Sequence, residues 1–398
     1  MAGKNDALDF RIEKLAVLGD GKWGSQVFDL LTNPDRHGGQ KPSYSANLAG
    51  PLKKTSGTVI LNHEGKAIWG DSDKKILSEA DLIFVAIPVK NYRETIRLLS
   101  DSINPRAYVV NGSKGCEYDP EARTIRLPHE ILRDELSEAN RPWIASLCGP
   151  NIQHEVERGR ATCAEVACWI DKDHKNFNRE WRVKTRYLEF LSNLFSVDQY
   201  VVVGNPSIVG VELSGALKNI FANPSGIFEG YYNTQDAHNT RATLLGLADY
   251  DIEFIFKELS REKMGWEVKV PSISGLADLI ATCSSPKSRN YRFGLERGKD
   301  FREKAPEFYR TAEEICEEIG QVVESINTLE SIMQLCNNRG WTNQLLIIPF
   351  IYQMVHGKSN IEEVYNVLDG LASRLTRRNE LLFLQDYKKY RKDRAGGQ

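Results

Sequence analysis

The sequence predicts an α/β protein: an N-terminal domain built on a parallel sheet, then a mostly α-helical C-terminal domain. Three observations carry this. Short runs apolar on both faces, Leu15-Ala16-Val17-Leu18 and residues 82–87 and 107–110, alternate with helical stretches, the pattern of a parallel sheet covered on both sides. A glycine-rich turn follows the first run directly. From about Ile208 onward, long helical periodicities replace strand runs. A chain of 398 residues is also long for one core. Two domains are expected, 1–205 and 206–398, divided near Gly204-Asn205-Pro206.

The first strand opens into Gly19-Asp20-Gly21-Lys22-Trp23-Gly24, and a helix then reads from Gln26 to Leu31. Glycines at these positions let a backbone approach a pyrophosphate, and the helix N-terminus offers free N–H groups and a positive dipole end. Lys22 adds a positive charge. A plain tight strand–helix turn is the alternative reading. Rossmann-like folds then place an acidic residue at the end of a second strand to hold the ribose hydroxyls. Neither is evident: no apolar run lies between Leu31 and Val59, and Gly38-Gly39-Gln40-Lys41-Pro42-Ser43 contains no Asp or Glu.

The strand at 82–87 ends at Pro88. The strand at 107–110 breaks into Asn111-Gly112-Ser113-Lys114-Gly115, at the carboxyl edge where open α/β sheets bind ligands. A surface turn with an incidental lysine is the alternative there. Cys148-Gly149-Pro150-Asn151 is a further turn, with Glu155 in the helix behind it, and Tyr200-Val201-Val202-Val203 is the last strand run.

In the helical half, Leu213, Ala216, Leu217 and Ile220 recur at helical spacing and form a buried stripe. Lys218 lies on another face, with Ser214 and Gly215 one turn below, which leaves room for a group to approach its ammonium. A snorkelling lysine is the alternative. In Ser274-Gly275-Leu276-Ala277-Asp278-Leu279-Ile280-Ala281-Thr282, the buried stripe reads as Leu276, Leu279, Ile280 and Cys283, while Asp278 and Thr282 share another face. Ser288-Arg289-Asn290 follows in a polar loop. An Asp–Thr face beside an Arg-Asn loop suits phosphate, which guanidinium binds bidentately. Helix capping is the alternative for Asp278 and Thr282. The charge-rich stretch 301–318 reads as an exposed helical face.

Composition narrows the function. With 52 basic against 54 acidic residues, general nucleic-acid or anionic-membrane binding is not expected. No apolar stretch approaches the roughly 20 residues that span a bilayer. Residues 1–11 are polar, unlike a secretory signal. Seven cysteines without a C-x-x-C pair suit reduced thiols in the cytoplasm and no metal site. The basic run at 388–394 reads as a solvated tail.

Taken together, these segments resemble NAD-dependent glycerol-3-phosphate dehydrogenase over residues from about 14 to 375. The motifs that carry the resemblance are Gly19 to Gly24, Gly112-Ser113-Lys114-Gly115, Gly149-Pro150-Asn151 with Glu155, and Gly210-Val211-Glu212-Leu213-Ser214-Gly215-Ala216-Leu217-Lys218-Asn219. Asn239-Thr240-Arg241-Ala242, the run from Gly275 to Thr282 with Ser288-Arg289-Asn290, and Val323-Glu324 complete the order.

The resemblance implies a Rossmann-like domain followed by a helical domain like the C-terminal part of 6-phosphogluconate dehydrogenase. It implies Lys218 as general acid/base, Asp278 as its orienting partner and Lys114 as a second active-site lysine. Asn219, Thr282, Arg289 and Asn290 would bind substrate. Gly19, Gly21, Lys22, Trp23, Gly24, Lys114, Arg289 and Glu324 would contact the cofactor, NAD with NADP left open. A small phosphorylated substrate and a homodimer are further implications.

A lysine acid works near neutral pH when burial and a second cation lower its pKa, while Asp278 pulls the other way. Besides the ribose region, two departures from the family pattern are Val89-Lys90-Asn91-Tyr92 after Pro88, and Ser207 where the family has aspartate. Two other readings stay open: a relative acting on another phosphate- or phosphonate-bearing hydroxy compound, and a non-redox nucleotide or phosphate binder.

Overall fold

The computed structural model describes residues 10–40, 42–50, 69–171, 175–233, 238–320 and 323–359, with isolated positions 361, 363, 370, 371 and 376. The basic run at 388–394 and the first nine residues lie outside these. The N-terminal half runs β1 (Lys14–Leu18), α1 (Lys22–Thr32), β2 (Ser45–Ala49), α2 (Asp71–Glu79), β3 (Leu82–Val85), α3 (Tyr92–Leu99) and β4 (Tyr108–Asn111). It continues with the hairpin β5 (Glu117–Asp119) and β6 (Thr124–Arg126), α4 (Pro128–Glu135), β7 (Ile144–Cys148), α5 (Gln153–Glu157), β8 (Thr162–Cys168), α6 (Phe177–Phe195) and β9 (Tyr200–Asn205).

The main sheet has the order β2-β1-β3-β4-β7-β8-β9. Every neighbouring pair is parallel except β7 with β8, which is antiparallel. The residues of β3 are buried throughout, as are Leu15 to Leu18 of β1, and separate apolar clusters cover the two faces of the sheet. Strands buried on both faces have no polar alternation, which is why they read as continuous apolar runs.

The second strand is present, contrary to the sequence reading. β2 pairs with β1 from Lys14↔Ser45 to Leu18↔Ala49. It is an edge strand with one face toward solvent, so Ser45-Ala46-Asn47-Leu48-Ala49 alternates instead of forming an apolar run. The acid expected after it is still missing, because Gly50 follows Ala49.

The helical half holds α7 (Ile208–Tyr232), α8 (His238–Met264), a π-helical turn (Ser272–Ala277), α9 (Asp278–Ser284), α10 (Arg289–Glu303), α11 (Ala312–Ile319), α12 (Glu324–Arg339) and α13 (Ile348–Val355). Ser207 caps α7, its hydroxyl accepting from the N–H of Gly210 at 3.0 Å, so serine does there what an aspartate would. α7 is buried on all sides from Ile208 to Phe228, including Lys218, rather than along one stripe. A helix sheathed in protein must give each charged side chain a partner, and both Glu212 and Lys218 have one. The apolar core around α7 also takes in Cys116, Ile125, Leu127 and Cys148 from the first half.

Gly226 and Gly230 of α7 meet Gly294 and Gly298 of α10 backbone to backbone. A Cβ on Gly226 would lie 2.0 Å from the Tyr291 carbonyl oxygen, and one on Gly294 2.0 Å from that of Asn223.

Three helical expectations need correction. Arg289 and Asn290 open α10, with Ser288 as its N-cap, instead of lying in a loop. Leu276 and Ile280 are exposed, at 58% and 48%, while Ser274, Gly275, Asp278, Leu279, Thr282 and Cys283 are buried. The π turn adds a residue to its turn and so rotates the apolar register that an uninterrupted α-helix would keep. The stretch 301–318 is not one helical face either: α10 stops before Pro306, and Arg310 folds back onto Asp300 at 2.9 Å.

Candidate active site

Four of the residues singled out in the sequence meet at one point. Lys218 Nζ donates to Asp278 Oδ1 at 2.5 Å and to Thr282 Oγ1 at 2.7 Å. Lys114 Nζ donates to the other carboxylate oxygen of Asp278 at 2.7 Å and to the Gly149 carbonyl at 2.7 Å. Two ammonium groups therefore share one carboxylate.

Each partner arrives from a different element. Lys114 stands on the turn after β4, Lys218 on α7, Asp278 and Thr282 one turn apart on α9, and Gly149 on the turn after β7. Gly215 makes room for this, since a Cβ there would sit 3.0 Å from Cys148 Sγ and 3.4 Å from Lys114 Cγ.

The electrostatics follow from the geometry. Burial lowers the pKa of Lys218, Asp278 opposes that, and Lys114 lowers it further, leaving it at about 8. Burial also works against the charge on Lys114, but Asp278 outweighs it and the pKa stays above the ordinary lysine value. The pair thus divides into a fixed cation, Lys114, and a group that can exchange a proton near neutral pH, Lys218.

A second cluster adjoins the first through Asn219, the neighbour of Lys218 on α7. Asn290 donates to Asn219 at 2.8 Å, and Asn219 donates to Glu324 at 3.5 Å. Arg289 donates to Glu324 at 3.2 Å, with its side chain 41% exposed. Lys114, Glu324, Lys90 and Thr328 line one narrow cleft between the two halves. Asn219, Asn290, Arg289 and Glu324 are brought together; within this cluster the exposed guanidinium is suited to meet an anion.

The glycine loop forms a third group. Gly19 has φ +116°, and a Cβ on Gly24 would lie 1.8 Å from the Gly19 carbonyl oxygen, so strand and helix close as tightly as backbones allow. Gly21 caps α1 without a side-chain hydrogen bond, and among the described residues nothing lies within 4 Å of where its Cβ would point. That open helix N-terminus fits a dinucleotide pyrophosphate. The Trp23 indole nitrogen lies 3.2 Å from where a Gly112 Cβ would stand, so the loop borders the turn that carries Lys114. Lys22 is exposed at the first turn of α1. Among the described residues, no hydrogen bond ties Gly19, Gly21, Lys22, Trp23 or Gly24 to Glu324 or Arg289.

Three further residues support the site and were not assigned a role from the sequence. Glu212, one and a half turns before Lys218, accepts from His129 Nδ1 at 2.6 Å, from the His129 backbone, from Ser146 and from Asn111. Asn111 in turn holds both the N–H and the carbonyl of Ser113, shaping the turn that presents Lys114. Glu165 on β8 accepts from the backbone and hydroxyl of Ser274, which fixes the π turn before Asp278. The signal was available: Glu212 and Glu165 are acids inside otherwise apolar runs. Among the described residues, the buried amide nitrogen of Asn151, two residues after Gly149, has no hydrogen-bond partner.

A glycine turn at the carboxyl edge of the parallel strands, bordering a buried lysine pair carried partly by a helical unit, is the arrangement of a dinucleotide-dependent dehydrogenase. The comparisons with known proteins agree. Residues 68–175 match the model of the NAD-dependent glycerol-3-phosphate dehydrogenase N-terminus, and residues 207–366 match that of its C-terminus. The chain is 30% identical over 359 residues to the glycerol-3-phosphate dehydrogenase (NAD(P)+) of Moorella thermoacetica, covering 86% of this chain and 92% of that protein. It is 29% identical to the enzyme of the same name from Fusobacterium nucleatum, over 89% of this chain and 96% of that one. The fold is similar to the crystal structure of glycerol-3-phosphate dehydrogenase from Coxiella burnetii, with TM-score 0.66 and 21% identity over 90% of this chain and 98% of that chain. This chain belongs to the NAD-dependent glycerol-3-phosphate dehydrogenase family.

Proposed function

We propose that the chain interconverts sn-glycerol 3-phosphate and dihydroxyacetone phosphate with NAD(H) or NADP(H), using Lys218 as general acid/base. The observation that carries this reading is the pair of lysines sharing Asp278, one held charged and the other brought to a pKa of about 8. The nicotinamide cofactor supplies the hydride that reaches the carbonyl carbon in the reductive direction. Lys218 donates a proton to the developing alkoxide oxygen, forming the alcohol, and is reprotonated from solvent. Asp278 and Thr282 aim the ammonium, and Lys114 stabilises negative charge on the same oxygen. Arg289, Asn219 and Asn290 hold the substrate phosphate, so the reacting carbon sits at a fixed reach from it. In the oxidative direction Lys218, as the free amine, accepts the hydroxyl proton.

The cofactor would be held by the glycine loop, through Gly19, Gly21, Lys22, Trp23 and Gly24, together with Lys114, Arg289 and Glu324. The chain divides into a dinucleotide-binding domain, 1–205, and a substrate domain, 206–398. We assign it to the cytoplasm as a homodimer. Unpaired cysteines support a reducing compartment, and the dimer is what the family resemblance implies. No helix among the described residues is long and apolar enough to cross a membrane. The test is oxidation of NADH or NADPH by the purified protein on addition of dihydroxyacetone phosphate. Turnover with this ketone is expected. Saturable dinucleotide binding without turnover would move the assignment to another phosphorylated carbonyl compound.

A further inference from the structure

We propose that Asp20 recognises the adenosine ribose diol and so selects NAD(H) over NADP(H). The inference rests on the dinucleotide reading and concerns which of the two cofactors the site takes. In the ordinary fingerprint, a carboxylate at the tip of the second strand accepts hydrogen bonds from the ribose hydroxyls. Here that tip is Gly50, which has no side chain.

The carboxylate reaches the same place from the neighbouring strand. β1 and β2 are adjacent and parallel, with Leu18 opposite Ala49, and the Gly19 N–H donates to the Ala49 carbonyl at 2.8 Å. The residues that follow, Asp20 and Gly50, therefore lie side by side at the carboxyl edge of the sheet. A Cβ built on Gly50 would stand 2.5 Å from Asp20 Cγ and 2.7 Å from its Oδ2. The Asp20 carboxylate thus fills the space that a Gly50 side chain would need. Glycine at 50 and aspartate at 20 are two halves of one arrangement, with the acid moved from the end of β2 into the glycine loop.

The chemistry then discriminates. A carboxylate has acceptor oxygens for the two hydroxyls of a ribose diol. A 2′-phosphate in that position offers no hydroxyl there and brings a second negative group against the first, with charge of about −1.5 to −2 at neutral pH. The loop keeps its open helix N-terminus for the pyrophosphate, so the discrimination is confined to the ribose end.

The experiment is a fluorescence titration of the full chain with NADH and NADPH, following energy transfer from tryptophan, for the wild type, Asp20→Asn and the double variant Asp20→Gly/Gly50→Asp. The wild type should bind NADH at least tenfold more tightly than NADPH. Asp20→Asn should bring the ratio of the two dissociation constants toward one, by weakening NADH and strengthening NADPH. The double variant, which returns the acid to the tip of β2, should restore the preference for NADH. Equal or tighter binding of NADPH by the wild type would overturn the proposal. So would an Asp20→Asn variant in which both affinities change by the same factor, since a merely structural aspartate would act that way. Saturation by neither nucleotide would overturn the dinucleotide reading, and this proposal with it.

Discussion

Asp278→Asn removes the carboxylate that Lys218 and Lys114 both touch, and its effect can be worked from the charges around Lys218. Burial and Lys114 drive the Lys218 pKa down, while Asp278 at 2.5 Å resists, and the balance is about 8. An opposite charge at such range shifts a pKa by about 1–3 units. Without it, the Lys218 pKa should fall to between about 5 and 7. In the ketone reduction proposed above the ammonium would be the donor, so activity should be lost as pH rises through this pKa. The alkaline limb of kcat for reduction should lie near pH 8 in the wild type and about 1–3 units lower in the variant. At pH 7.5 the protonated fraction would drop by about threefold to a few hundredfold. The assay is the pH dependence of NADH oxidation with saturating dihydroxyacetone phosphate. Circular dichroism of the variant confirms that the fold is kept. An alkaline limb that stays near pH 8 in Asp278→Asn would refute the claim that Asp278 sets the charge of Lys218.

Three further outcomes follow from other parts of the site and fold. Arg289→Ala should raise KM for the phosphorylated ketone about tenfold or more, the loss of one charged hydrogen bond, and leave KM for unphosphorylated dihydroxyacetone unchanged. An equal effect on both ketones would contradict a phosphate role. Gly226→Ala forces a methyl group against the Tyr291 carbonyl at the α7–α10 crossing and should cost about 1–3 kcal/mol or more, read as a lowered melting temperature; an unchanged one would contradict the crossing. Glu212→Gln replaces a buried carboxylate that takes bonds from His129, Ser146 and Asn111, and should cost about 1.5–3 kcal/mol in chemical denaturation. Because Asn111 shapes the Lys114 turn, kcat should fall as well, with the dinucleotide dissociation constant little changed.

The sequence announced those parts of the molecule in which one kind of environment surrounds a whole element. β1, β3 and β4 are buried on both faces, and α7 is apolar through most of its length, so their residues carry an unmixed signal. β2 escaped because an edge strand with one wet face alternates, and five alternating residues look like a loop. The exposed Leu276 and Ile280 were misplaced because a π turn breaks the 3.6-residue register without leaving a sequence mark. Lys114, Lys218, Asp278 and Thr282 could each be singled out by residue type and local spacing. Their meeting could not, since it depends on β4, α7 and α9 converging across 164 residues between Lys114 and Asp278. Glu212 and Glu165 stood in plain view as acids in apolar runs. Their function is to hold other residues, and that is visible only once the partners are placed.

The central claim is that Lys218 is the proton donor of a phosphate-anchored ketone reduction. Its most direct test is Lys218→Ala, with hydride transfer measured in a single turnover of enzyme preloaded with NADH and mixed with dihydroxyacetone phosphate. Loss of a positioned general acid should slow that step by about 10²–10⁴-fold, while NADH binds as in the wild type and the melting temperature shows a folded protein. Hydride transfer within about tenfold of the wild type would contradict the claim and return Lys218 to a structural role on a buried helix.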